Sequence, residues 1–195
     1  MGAISTMAAQ DVELTPESII DRLETAAPPQ CMEIPFQEVR HYQLKKTDMI
    51  FQGTMRMHPD HGISIEYTDP VHRLFILNSG GLRIRQPDTG VDTLAPEEAG
   101  VMMSVFTDLL TLNKSRLEEQ FSMIARAKGE DAWLLELSPG KSELRRYFMV
   151  IELEGAGDQL QSIYLQKGRS RWQRIEFKTR AKSWDPTLDD LKTYF

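Results

Sequence analysis

Most features that mark a chemical class are missing from these 195 residues. The single cysteine, Cys31, excludes an internal disulfide and a cysteine-rich metal cage, and it fits a reducing cytosol as well as a disulfide-free secreted chain. No run approaches the roughly 18 apolar residues of a membrane span, and the start, MGAISTMAAQDVELT, has neither the charged nor the apolar region of a signal peptide. Positions 1–13 read as a flexible tail or an expression remnant standing where a leader was removed. No glycine-rich loop follows a strand and opens a helix, and neither Gly-x-Ser-x-Gly nor His-Glu-x-x-His occurs. The lysines and arginines are scattered in a chain of formal net charge -6, so nothing tracks a phosphate backbone and nucleic acid is not an expected partner.

What remains is a patterned, 41% hydrophobic chain, long enough to bury one core, and residues 1–195 are expected to form a single domain. In LTPESIIDRLETA, Thr15 is placed to cap, Pro16 suits the first helical position, and Ile19, Ile20 and Leu23 make one apolar stripe up to Ala27. After Pro35 the period changes to two. DMIFQGTMRM puts Met49, Phe51, Gly53, Met55 and Met57 on one side and Gln52, Thr54 and Arg56 on the other, and GISIEYT alternates in the same way. HRLFILNSGGLRIRQP reads as strand, turn, strand. DAWLLELSPGKSELRRYFMVIELEGAGDQLQSIYLQKGRSRWQRIEFKT reads as four strands parted by SPGKS, EGAGD and KGRS. Between the two sets, EEAGVMMSVFTDLLTL places Val101, Met102, Val105, Phe106, Leu109 and Leu110 on one broad helical face. A short C-terminal turn in SWDPTLDDLKTYF packs Leu188 and Leu191. The fold class is therefore α+β, mainly antiparallel, with one helix covering the sheet.

Three groupings hold chemical interest. HPDH brings His58, Asp60 and His61 together; a metal site needs at least three convergent ligands, here His58 and His61 with Asp60 or a distant His41 or His72, and nothing in the local spacing fixes such a set, whereas PDHG is ordinary turn chemistry between alternating flanks. Cys31 with His41 as base is the one nucleophile pairing on offer, against the commoner role of a lone cysteine as a small buried hydrophobe. Met49, Met55, Met57, Met102, Met103, Met123 and Met149 all fall on expected apolar faces. Flexible thioethers suit a surface that closes on itself when empty and moulds to irregular chains when filled; the plainer alternative is a methionine-rich core.

The strand and turn around Gly53–Pro59, then ISIEYTDP, LFILNSGGLRIRQPDTG, the helical VFTDLLTL, WLLELSP and the closing hairpins follow one another in the order of a known family. The chain resembles the periplasmic lipoprotein carriers LolA and LolB, from the first helix to about Phe177. That resemblance implies an incomplete, strongly curved antiparallel barrel, a LolA-like half-barrel with helices as a lid over an apolar cavity that receives acyl chains. It further implies a non-catalytic, cofactor-free monomer resident in the periplasm, a leader absent from this chain, and exchange of lipoprotein or lipid-like cargo between an inner-membrane donor and an outer-membrane acceptor. There are departures. Where LolA typically has an arginine that holds the lid, His58 precedes Pro59, so Arg56, His58 and Pro59 are the candidates for a lid or turn contact. Arg83 and Arg85 flank Ile84 where aromatics are usual, and no lipid-anchor cysteine lies near the N-terminus. These mark a divergent LolA-like member.

The expected cavity wall comprises Met49, Phe51, Met55, Met57, Ile65, Leu74 and Ile76 from the first strands. Val105, Phe106 and Leu109 come from the covering helix, with Phe148, Val150, Ile163 and Phe177 from the later strands. A different class stays open: a periplasmic interaction or sensor module that uses the half-barrel, with its unclosed strand edges, to bind a protein segment.

Overall fold

The computed structural model describes residues 14–26, 31–43, 45, 47–95 and 97–195, so the tail 1–13 and the expected helix end at Ala27 lie outside the described residues. The first helix, α1 (Pro16–Thr25), starts as its sequence requires: the Thr15 hydroxyl accepts from the Ser18 N–H at 3.1 Å and the Ser18 hydroxyl from the Thr15 N–H at 3.0 Å. Its stripe of Ile19, Ile20 and Leu23 is buried against the sheet.

Six strands follow as a meander: β1 (Met32–Tyr42), β2 (Met49–His58), β3 (Gly62–Asp69), β4 (Arg73–Asn78), β5 (Gly81–Gln86) and β6 (Val91–Leu94). The chain then enters α2 (Glu97–Leu110) and α3 (Lys114–Gln120). A second antiparallel run comprises β7 (Phe121–Ala127), β8 (Ala132–Pro139), the single-turn α4 (Ser142–Arg145), β9 (Val150–Ala156), β10 (Gln159–Gly168) and β11 (Arg171–Phe177). The short β12 (Lys182–Ser183) and α5 (Leu188–Tyr194) close the chain.

All strands belong to one twelve-stranded sheet, in the order β6-β5-β4-β3-β2-β1-β11-β10-β9-β8-β7, with β12 beside the start of β1. The two runs are joined by β1 against β11, from Phe36 opposite Phe177 to Tyr42 opposite Arg171. Pro35, which has no N–H to give, sits where the neighbour of β1 changes from β12 to β11. The sheet curls without closing, because β6 and β7 are its two free edges. The segment that links those edges has to cross the whole sheet, and α2 and α3 do so on the concave side. The Lys114 ammonium, 2.8 Å from Asp21, ties the start of α3 to α1.

Strand alternation sorts the side chains. Phe36, Met55, Ile65, Ile151, Leu153, Ile163 and Ile175 point to the concave side and form the core with α1 and α2. Each such side chain contributes about 1.5–3 kcal/mol on burial. Gly53 stands at the register shift between β2 and β3, where backbones approach closely: a Cβ there would lie 2.0 Å from the Glu66 carbonyl oxygen and 2.9 Å from the Phe36 ring. The aromatic rings of Phe36, Phe51 and Phe75 all pack edge-on against Tyr67 around this glycine.

Six elements escaped the sequence pattern: β1 over its full length, β6, β7, β12, α3 and the single turn α4, which falls where a strand was expected. β1 carries Glu38 and Arg40 in its inward register, which breaks the alternation, and all four residues of β6 are exposed. The convex side of β2–β5 is also covered, by the C-terminal segment. The Arg83 guanidinium donates to the Phe195 carbonyl, Arg85 donates to the Thr193 carbonyl, and Arg56 lies over the Tyr194 ring at 3.7 Å.

Candidate functional site

Two recesses open on the concave face among the described residues. In the first, Met55, Ile65, Leu165 and Ile175 of the sheet face Met102, Met103, Val105, Phe106 and Leu109 of α2, and Phe148 closes one side. Its space is about 440 Å³ when the part open to solvent is counted, and α2 lies close enough to the sheet to leave little of it enclosed. The second, about 810 Å³, lies at the other end of the strands among Leu23, Met32, Ile34, Leu112, Leu160 and Phe177.

Of the residues expected to line a cavity, Met55, Ile65, Val105, Phe106, Leu109 and Phe148 sit together in the first recess and Phe177 in the second. Ile163 is core between them, and Met57 packs on that core. Phe51 lies under the Arg40 guanidinium at 4.2 Å, and Met49 is opposite Arg40 in the β1–β2 register. Three placements are corrected. Leu74 and Ile76 pair with Arg85 and Arg83, so they are buried on the convex side beneath the C-terminal segment, while Phe75 faces the core. Val150 likewise points outward, and Ile151 and Leu153 fill the core. LFIL and MVI are unbroken apolar runs, and an unbroken run does not reveal which parity faces in. Met149 is also corrected: it is half exposed rather than on an apolar face.

The lid or turn candidates are displaced as a group. Arg56 is buried on the convex side, 2.9 Å from Glu66 and stacked on Tyr194. His58 and His61, 4.6 Å apart, pack on Phe195, and Pro59 is in the exposed turn. Arg56, His58 and His61 therefore hold the C-terminal segment, on the side of the sheet away from α2. Among the described residues no group of three or more His, Cys, Asp or Glu is placed for a metal ion. Cys31 and His41 stand at opposite ends of β1, roughly 30 Å apart at about 3.3 Å per residue, so they form no catalytic pair. Burial pushes the Cys31 thiol upward, with Asp185 adding to the effect, which disfavours the thiolate.

Sequence reasoning missed the polar side of the recess. Tyr67 and Gln173 line it, and Glu38 is fully buried just behind. The Arg40 fork donates to Glu38 at 2.7 and 2.8 Å, and the Tyr67 hydroxyl donates to the same carboxylate at 2.7 Å. Desolvation, then the Glu38 charge, push the Tyr67 phenol well above its ordinary range, so it is present as the protonated donor. The available signal was parity: Glu38 and Arg40 share the register of Phe36.

No family model matches the sequence, and no curated protein matches it. Solved structures do. An uncharacterized conserved protein of Thermus thermophilus superposes with a TM-score of 0.50 at 13% identity, over 90% of this chain and 91% of that one. A LolA superfamily protein of Nitrosomonas europaea gives a TM-score of 0.45 at 7% identity, over 90% of this chain and 96% of that one. MucB in the Pseudomonas aeruginosa MucA/MucB complex gives 0.47 at 14% identity, and this chain spans 59% of that longer one. With its unclosed antiparallel sheet, and its helices crossing from one free edge to the other, the architecture is the one the resemblance implied. The fold is LolA-like.

In this LolA-like frame α2 covers the first recess and contributes to it two methionines, Met102 and Met103, with Val105, Phe106 and Leu109. No helix among the described residues is long and apolar enough to cross a membrane.

Proposed function

We propose that this LolA-like chain is a non-catalytic carrier of acylated or otherwise hydrophobic cargo, resident in the periplasm and working between an inner-membrane donor and an outer-membrane acceptor. The observation that supports this reading is the apolar recess between α2 and the curled sheet, walled on the helix side by Met102 and Met103. Thioethers repack at low cost, so α2 settles on the sheet when the recess is empty and yields to a chain when it is filled. Each methylene buried there supplies about 0.8 kcal/mol, so a chain of ordinary length offsets the contacts that α2 gives up.

Native mass spectrometry of detergent-free protein, with lipid extraction of the same sample, tests the reading. A co-purified or added acyl species is expected to bind. The pair Met102→Asp with Met103→Asp, at half-buried positions that tolerate charge, is expected to cut uptake at least about tenfold with an unchanged circular dichroism spectrum. Full uptake by that folded variant would remove the recess from the account.

One observation favours a second reading, an interaction module that binds a protein segment. β6 and β7 are both free edges, and β6 is exposed along its whole length. Capture of one defined peptide by lipid-free protein, together with failure to bind any lipid, would select it.

A further inference from the structure

The lining of the first recess is apolar except at one corner, where Tyr67 and Gln173 stand. Four charged groups meet there: Glu38, Arg40, Lys167 and, by strand parity with Gln173, Arg171. Glu38 is already satisfied. Its carboxylate takes both arms of the Arg40 fork and the Tyr67 hydroxyl, and the guanidinium carbon lies over the Phe51 ring at 4.2 Å. The corner keeps an excess of two positive charges in a chain whose formal net charge is -6.

Lys167 is the unsatisfied member. It is the extra residue of a β-bulge: Gln166 pairs with Trp172 and Gly168 with Arg171, and Lys167 has no partner on β11. Bulges re-aim side chains, and this one turns the lysine towards α2, where Nζ lies 3.8 Å from the Met102 sulfur. Thioether sulfur is a weak acceptor. Among the described residues no carboxylate lies within 4.0 Å of Nζ. A half-buried ammonium without a counter-ion is an expensive arrangement unless something supplies the anion.

We propose that the recess beneath α2 takes a single-chain amphiphile with a compact oxyanion head, a carboxylate or a phosphate. The alkyl chain lies along Met55, Phe106 and Leu109, and the head meets the Lys167 ammonium beside Gln173. The proposal rests on the carrier reading and narrows its cargo. Burial pushes the Lys167 ammonium down to about 8; Glu38 opposes the shift, and Arg40 and Arg171 add to it. An arriving anion restores what burial has removed. Arg40 stands next to it in the corner, about a quarter exposed, with Nη1 free of any partner among the described residues.

Isothermal titration with dodecanoate, dodecyl phosphate and dodecanol, each below its micellar concentration, separates head from chain. One or both anions are expected to bind the unmodified protein about ten- to a hundredfold more tightly than dodecanol, and the preferred anion identifies the head. Lys167→Met, of similar length and without the charge, is expected to erase that ratio, whereas Lys167→Arg retains most of it. Equal binding of all three compounds by the unmodified protein overturns this inference and leaves the carrier reading standing. A ratio that survives in Lys167→Met also overturns it, by placing the head elsewhere. Absence of binding by any of the three removes both.

Discussion

Replacing Arg40 with methionine would leave the Glu38 carboxylate, which has no solvent exposure, with only one of its three donors, the Tyr67 hydroxyl. The two lost bonds, at 2.7 and 2.8 Å, come from a charged fork with the geometry that carboxylates bind best. Removing one partner of such a buried pair costs about 3–5 kcal/mol, because the other charge is stranded, whereas an exposed pair is worth about 0–1 kcal/mol. Against a total stability of about 5–15 kcal/mol, the expected loss is a large fraction, and in a chain of this length it lowers the melting temperature by about 6–20 °C. Urea titration followed by circular dichroism reads the loss as a shifted midpoint with an unchanged slope. The combination of Arg40→Met with Glu38→Leu and Tyr67→Phe removes the charge and its donor together. It is expected to recover most of the stability, since the corner becomes an apolar extension of Phe51. A cost below about 1 kcal/mol for Arg40→Met alone would refute the buried, paired carboxylate and with it the polar corner.

Two further outcomes follow from the same geometry. Gly53→Ala is expected to lose about 1–3 kcal/mol in thermal unfolding, because its Cβ would stand 2.0 Å from the Glu66 carbonyl oxygen; an unaltered melting temperature contradicts the close approach of β2 and β3. Lys167 is pushed down to about 8 in the folded chain, against about 10.4 unfolded, so between those values the unfolded chain binds more protons and this group's contribution to stability rises with pH. With Glu38, Arg40 and Arg171 as its charged neighbours, Lys167→Met is therefore expected to stabilise the empty protein near pH 7. The gain should shrink as the pH climbs from about 8 towards 10.5; a gain that stays constant over that range argues against the depressed ammonium.

Much of the hairpin architecture was legible because period-two alternation and turn residues act over a few neighbours. The His58–Gly62 and Asn78–Gly81 turns are as their residues specify, and Gly62 and Gly81 take the positive φ of 97° and 100° that their turns require. α1 begins at the expected cap, and α2 carries the expected Val105, Phe106 and Leu109 face into the core. Legibility failed where a run had no alternation. Leu74 and Val150 were assigned the wrong side for that reason, and β1 was hidden by the charges it turns inward. It also failed at Arg56 and His58, because a sequence read as one sheet over one core gave no reason to expect a cover on the convex side.

The sequence by itself determined the class of the fold, the two antiparallel runs, the helix between them and the absence of the usual catalytic and phosphate-binding signatures, all of which rest on contacts between near neighbours. Only the tertiary structure decided that β1 pairs with β11, which makes β6 and β7 the edges and sends α2 across the concave face. It likewise decided that Glu38, Arg40, Tyr67 and Lys167 share one corner of the recess, although they span the chain from the first strand to the tenth. Such meetings depend on which strands close the curl, and that is settled by the sum of many weak packing terms over the whole sheet rather than by any local pattern.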